Sequence, residues 1–183
     1  FDMVFGGDIP VGAGLSSSAA LECAVGFALS ELFGFEIPKK SLVHYAQKAE
    51  HTFAGVQCGI MDQFASAMGK KGYAIRLDCR TLEFDYFPID LGEYKILLID
   101  SQVKHSLADS AYNKRRLECE EGVKAAQQIQ ADVRDLRDVS LELLDQLNVD
   151  AIVYNRCKYV IEENQRVLDA CELLGKADLV CPE

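Results

Sequence analysis

The chain has 183 residues, 49% of them hydrophobic and 26% charged, enough apolar content for a true core and too much for a disordered segment. Nineteen basic against twenty-nine acidic residues leave a net charge of -10, which argues against nucleic acid or an anionic membrane as the main partner. The seven cysteines, at positions 23, 58, 79, 119, 157, 171 and 181, form no C-x-x-C pair, so reduced thiols in a cytoplasmic protein are expected rather than a disulfide framework or zinc site.

In chain order, Asp2 to Phe5 reads as the tail of a strand. A glycine- and serine-rich turn follows, Pro10-Val11-Gly12-Ala13-Gly14-Leu15-Ser16-Ser17-Ser18, and runs directly into an apolar helix expected over Ala19 to Phe33. Glycines admit an anion close to the backbone, and a helix starting there aims free N–H groups and its positive dipole end at the same point. A phosphate site is one reading of this turn; ordinary N-capping of the helix is the other. No lysine follows the glycines, so the turn is no Walker-type loop, and Ser18 stands where a nucleophile elbow would close on glycine.

Within that helix the polar residues Glu22 and Ser30 fall with Gly26 at i, i+4, i+8, which predicts burial all round except along this one stripe. An amphipathic helix is expected over Lys39 to Ala54, closed by Gly55 and carrying Glu50 at the edge of its apolar face. A short helix from Gly59 to Met68 places Asp62 in its first turn, where a carboxylate complements the helix dipole. Tyr73 to Asp78 and Leu82 to Phe87 read as two strands joined by a turn at 79–81, and Tyr94 to Asp100 as an apolar strand in a sheet covered on both faces. Helices are expected over Leu107 to Gln130, Leu141 to Leu147 and Ala151 to Leu174. The shift from β-containing to helix-rich sequence sets a domain boundary near Leu91 to Glu93, giving domains at 1–93 and 94–183. Taken alone, periodicity stops at an α/β domain with a possible phosphate loop.

Specific motifs carry the reading further. PVGAGLSSSAAL resembles the second motif of the GHMP kinases, P-x-x-x-G-L-x-S-S-A. AEHTFAGVQCGIMDQFASAMGKKGYAIRLDCRTLE, the run YKILLID and then SQVKHSLADSAYNKRRLECEEG are similar to the galactokinase family within that superfamily, in the same order. The resemblance implies an α/β (α+β) two-domain GHMP fold, present here as a fragment, with an ATP-binding N-terminal part. It implies ATP-dependent phosphorylation of galactose at the C1 hydroxyl, with ATP and Mg²⁺ as cofactors. By position, Gly12, Gly14, Leu15, Ser16, Ser17 and Ser18 match the ATP phosphate loop, and Ser18 and Glu50 the magnesium ligands. Asp62 matches the carboxylate that orients and deprotonates the sugar hydroxyl, while Gly59, Asp62 and Tyr112 match galactose contacts. The set is coherent, since phosphoryl transfer needs a placed hydroxyl, an orienting carboxylate and positive charge over the phosphate.

The sequence departs from the family in two respects: the Gly-Arg-x-Asn-Leu-Ile-Gly-Glu-His signature and the glycine-rich third motif are absent. Near the end, Leu179 passes abruptly to Val180-Cys181-Pro182-Glu183, so these two residues are not expected to be covalent neighbours, and a chain limited to these residues is expected to be inactive. Two alternatives stay open here: a GHMP kinase acting on another sugar or small alcohol, and a galactokinase-like sensor that binds sugar and ATP without catalysis. The intact Ser16-Ser17-Ser18-Ala19-Ala20 run favours catalysis.

Overall fold

The computed structural model describes residues 1–100 and 111–176, which fall into two compact units: 1–86 with 91–100, and 87–90 with 111–176. In the first unit, α1 (Ser17–Phe33), α2 (Lys39–Ala49) and α3 (Met61–Met68) pack on one another, followed by a hairpin of β1 (Tyr73–Leu77) and β2 (Phe84–Pro88). The expected mixed α/β class is borne out.

Local chemistry sets the ends of these elements. Gly34 takes φ 67°, and the Phe35 N–H then reaches back to the Ser30 carbonyl at 3.0 Å. Pro38 precedes α2, where its fixed φ suits a helix start. The helix expected to run unbroken to Ala54 instead widens into one π-helical turn, Glu50–Ala54, before Gly55 ends it at φ 70°. Such turns are frequent at functional sites, and this one begins at Glu50. In the hairpin, the Asp78 carboxylate accepts from the N–H groups of Arg80 at 2.8 Å and Thr81 at 3.1 Å, which closes the expected turn. Val43, Ile60 and Phe64 form the core beneath it, with the Phe64 and Phe84 rings edge to face at 5.1 Å.

Three expectations are corrected. The Glu22–Gly26–Ser30 stripe of α1, expected to be the exposed one, is the packed face. Ser30 is 5% exposed and its Oγ accepts from the Ile37 N–H at 3.0 Å; Gly26 lies so close to α2 that a Cβ there would overlap Leu42 Cδ1; Glu22 turns to α2 and α3. The apolar side chains Leu21, Phe27, Leu32 and Phe33 are exposed instead. Periodicity sorts residues onto faces but does not say which face is used when the polar groups find partners inside. The strands expected at Asp2 to Phe5 and Tyr94 to Asp100 are absent, the structure there being irregular, with Leu97 and Ile99 about four-fifths exposed. An apolar run becomes a strand only when a neighbour supplies the ladder, and among the described residues none does. The start of the helix expected at Leu107 and the Leu179–Val180 junction lie outside the described residues.

In the second unit, α4 (Ala111–Gln127) and α6 (Ala151–Gly175) pack side by side, with α5 (Leu141–Leu144) and a 3₁₀ turn at Leu136–Asp138 between them in sequence. The 3₁₀ turn, α5 and α6 each start with a side-chain cap: Asp135 and Asp138 form a capping box, Ser140 Oγ accepts from the Leu143 N–H, and Asp150 Oδ1 accepts from Ile152 and Val153 at 2.7 and 2.9 Å. Leu136, Leu144, Val153 and Cys157 fill the core, and Arg156 of α6 pairs with Glu118 of α4 at 3.1 Å. A hydrogen bond between Cys157 and Cys119 lowers the Cys119 thiol to about 7. Among the described residues no helix is long and apolar enough to cross a membrane.

Gly122 of α4 lies against Cys157 and Val153 of α6. Gly122→Ala is expected to lower the thermal unfolding midpoint, because the added methyl overlaps the Sγ of fully buried Cys157. Overpacking costs about 1–3 kcal/mol and outweighs a helix-propensity gain of about 1 kcal/mol. Adding Cys157→Ala should restore most of the loss; an unchanged midpoint in the single variant would mean the thiol swings aside freely.

Candidate functional site

The turn before α1 has positive φ at every second residue: Gly12 at 78°, Gly14 at 75° and Ser16 at 55°. Alternating backbone handedness of this kind points successive N–H groups into one concavity, an arrangement that binds anions. A Cβ at Gly12 or Gly14 would meet nothing within 4 Å, so the glycines serve the backbone turn rather than close packing. Ser16 holds the N-cap position of α1 without any side-chain capping bond, and no acidic residue lies in the first turn. The simple N-capping alternative therefore loses its hydroxyl. A helix end left uncapped in this way favours a negative ligand. Ser16 and Ser17 are half-buried, whereas Leu15 and Ser18 are exposed.

One turn along α1 from Ser18, on the same face, stands Glu22. Glu50, which opens the π-helical turn, is its electrostatic neighbour. Glu50 is 5% exposed, and its Oε2 has no hydrogen-bond partner. Burial first, then the hydrogen bond and repulsion from Glu50, raise the Glu22 carboxyl to about 7.

The loop leading into α3 is tied to the same place. The Cys58 carbonyl accepts from Gln47 Nε2 at 3.2 Å and meets His51 Nε2 at 2.9 Å, which fixes the approach to Gly59 and Ile60. Gln63, 2% exposed, directs Nε2 to Glu22 Oε2 at 3.4 Å and to Cys58 Sγ at 3.8 Å. Burial pushes the Cys58 thiol up against the opposing Gln63 bond, with Glu50, Glu22 and Asp62 repelling its charged form in that order. The three carboxylates thus all lie within electrostatic reach of one thiol. Asp62 itself is exposed in the first turn of α3, and Gly59 is exposed just ahead of it.

Of the expected site residues, Glu50 and Asp62 both lie within electrostatic reach of Cys58, and Ser18 stands one helical turn before Glu22 on α1. Tyr112 lies in the second unit, in the first turn of α4, with its ring 48% exposed. Glu22, Gln63 and Cys58 were not among the expected site residues. The signal for Glu22 was present, since it follows Ser18 by four residues, but the stripe was assigned to solvent.

Hard oxygen donors with one buried, unpartnered carboxylate oxygen fit a hard cation such as Mg²⁺, which keeps several waters and binds through one or two carboxylates plus phosphate oxygens. Among the described residues no cluster of three or more metal-ligating side chains occurs.

Comparison with known proteins gives a consistent set of relatives. The family described as GHMP kinases N terminal domain matches residues 1–70. The galactokinase of Thermotoga maritima is 48% identical over 171 residues, covering 93% of this chain and 47% of that protein. The galactokinase of Clostridium tetani is 44% identical over 182 residues, covering 97% of this chain and 46% of its own length. The crystal structure of Lactococcus lactis galactokinase complexed with galactose superposes with a TM-score of 0.85 at 36% identity, over 93% of this chain and 45% of that one. The chain thus spans about half the length of the curated relatives it matches.

Proposed function

Because the chain belongs to the GHMP kinase family, we propose that it forms the phosphate-binding and sugar-facing part of a galactokinase, transferring the γ-phosphoryl group of ATP to the C1 hydroxyl of galactose. Residues 1–93 are assigned to its ATP-binding domain and 94–183 to its C-terminal domain. The observations that support the reading are the start of α1, left without a side-chain cap, and the carboxylates of Glu22, Glu50 and Asp62 within electrostatic reach of Cys58.

In this reading the N–H groups of Gly12 to Ser18 bind the ATP phosphates. Ser18 and Glu50 would hold Mg²⁺, which when bound supplies positive charge over the phosphate oxygens. Asp62 holds the C1 hydroxyl in line with the γ-phosphorus and takes its proton as the oxygen attacks and the bond to the ADP oxygen breaks. Aspartate is a weak base, and the transferring phosphoryl group shares the proton. Gly59 lets the sugar approach the backbone, and Tyr112 supplies packing or a hydroxyl contact. Substrate and nucleotide are small molecules; neither nucleic acid nor membrane has a place in this chemistry, and a cytoplasmic setting suits the free thiols.

The test is the intact protein assayed with ATP and, separately, galactose, mevalonate and homoserine, with the product's phosphate located by NMR. Phosphate at galactose C1 is expected. Robust activity on mevalonate without galactose would overturn the substrate assignment, and tight sugar and ATP binding without turnover would favour a sensor. In the same assay Tyr112→Phe should weaken galactose use by about 0.5–1.5 kcal/mol, the scale of one neutral hydrogen bond, and chiefly through KM. Abolished turnover at unchanged galactose affinity would contradict that role.

A further inference from the structure

The N-cap residue of α3 is the apolar Ile60, and no side chain caps the helix start. Eight residues, Met61–Met68, are too few for a helix to set its own first turn in water, so that turn is placed by what surrounds it. Burial of Val56, Ile60 and Phe64 seats the segment on the core. Between the first two of these lies a polar hold at Cys58. Its carbonyl accepts from Gln47 Nε2 at 3.2 Å and, since a carbonyl oxygen can only accept, His51 Nε2 at 2.9 Å carries a hydrogen toward it as well. Gln47 of α2 and His51 of the π-helical turn are four residues apart, both partly buried, and converge on that one atom. Two donors on one carbonyl engage both of its lone pairs, and the planar peptide passes the constraint directly to Gly59. Asp62 follows within one helical turn.

We propose that His51, assisted by Gln47, is a positioning residue of this site: the two side chains hold the Cys58 carbonyl, and through the Cys58–Gly59 peptide they set the place of Gly59 and of Asp62 in the first turn of α3. This rests on the reading of Gly59 and Asp62 as sugar-facing. In this role neither His51 nor Gln47 needs to touch sugar or nucleotide. The contribution of each is an N–H donor at one place, and another donor that reaches the same place can replace it.

The experiment uses the intact protein and reads the single-turnover rate at saturating ATP and galactose, the galactose KM, and the affinity for the nonhydrolysable ATP analogue AMP-PNP with Mg²⁺ in the absence of sugar. His51→Leu, which keeps the bulk but cannot donate, should slow turnover by about 10–100-fold, approaching the cost of an ångström's displacement at a reacting centre, and raise the galactose KM, while AMP-PNP affinity stays at the parental value. His51→Gln, whose amide nitrogen stands the same number of bonds from the backbone as the ring Nε2, should keep turnover within about threefold of the parent. Gln47→Met should cost only about 2–10-fold, the scale of one neutral hydrogen bond, because His51 still holds the carbonyl. Thermal unfolding of each variant checks the fold, and His51→Ala serves if leucine disturbs the packing. Asp62→Asn is measured in parallel. Near-parental turnover in His51→Leu with loss in Asp62→Asn would overturn the positioning role alone. Equal loss in His51→Gln and His51→Leu would also overturn it, because the ring rather than its donor would then be what matters. A change confined to AMP-PNP affinity would overturn it too, since His51 would then act through its neighbour Glu50. Near-parental turnover in Asp62→Asn would remove the sugar-facing reading on which the proposal stands.

Discussion

In the intact protein, Asp62→Asn is expected to reduce the proposed galactose phosphorylation by roughly 10²–10⁴-fold, the range for loss of a general base, while ATP binding and the fold remain intact. Asparagine is nearly isosteric with aspartate, and Asp62 is exposed, so no core contact depends on its charge. Its place in the first turn of α3 contributes at most about 0.3–1 kcal/mol through the helix dipole. Loss on the catalytic scale with an unfolding midpoint shifted by only a degree or two would therefore separate chemistry from structure. Single-turnover kinetics at saturating ATP and galactose make the measurement, and near-parental turnover would assign Asp62 to the helix start alone.

For Glu50→Gln the two consequences should have opposite signs. The Mg²⁺ concentration for half-maximal activity should rise on the order of 10–100-fold, at least the effect of disturbing a group that supports a metal ligand. The metal-free protein should be no less stable than the parent, and somewhat more so, because a buried carboxylate with an unpartnered oxygen becomes a neutral amide and its repulsion with Glu22 disappears. Such opposition between stability and function is common where a site holds like charges together. Ser18→Ala should move the Mg²⁺ requirement in the same direction but less, since it removes a neutral ligand from an exposed position. Unchanged half-saturation in both variants would mean that neither residue touches the metal.

How the chain reads along its length is largely a matter of local physics, and there the sequence sufficed. Gly34 and Gly55 stop their helices because they alone take positive φ without strain; Asp78 closes the hairpin turn through its own neighbours' N–H groups; Ser140 and Asp150 open theirs as caps. Gly12, Gly14 and the serines likewise mark a turn that opens a helix, with a phosphate site and plain N-capping as its two readings, and the ordered motifs from PVGAGLSSSAAL through CGIMDQF carry the family resemblance without coordinates. Each of these signals lies within a few residues of its effect.

What needed the tertiary structure was every decision that depends on a partner distant in sequence. Tyr94 to Asp100 has the composition of a strand, yet it remains irregular where no neighbouring strand supplies hydrogen bonds. The Glu22–Gly26–Ser30 stripe looked like a solvent face because polar residues are most often exposed. Folding packed it because Glu50, Leu42 and Ile37 arrive from elsewhere to meet a carboxyl, a missing side chain and a hydroxyl. A sequence fixes which groups a helix face carries through its 3.6-residue period, but whether that face meets water or protein depends on what folds against it, and Glu22's meeting with Glu50 was decided there.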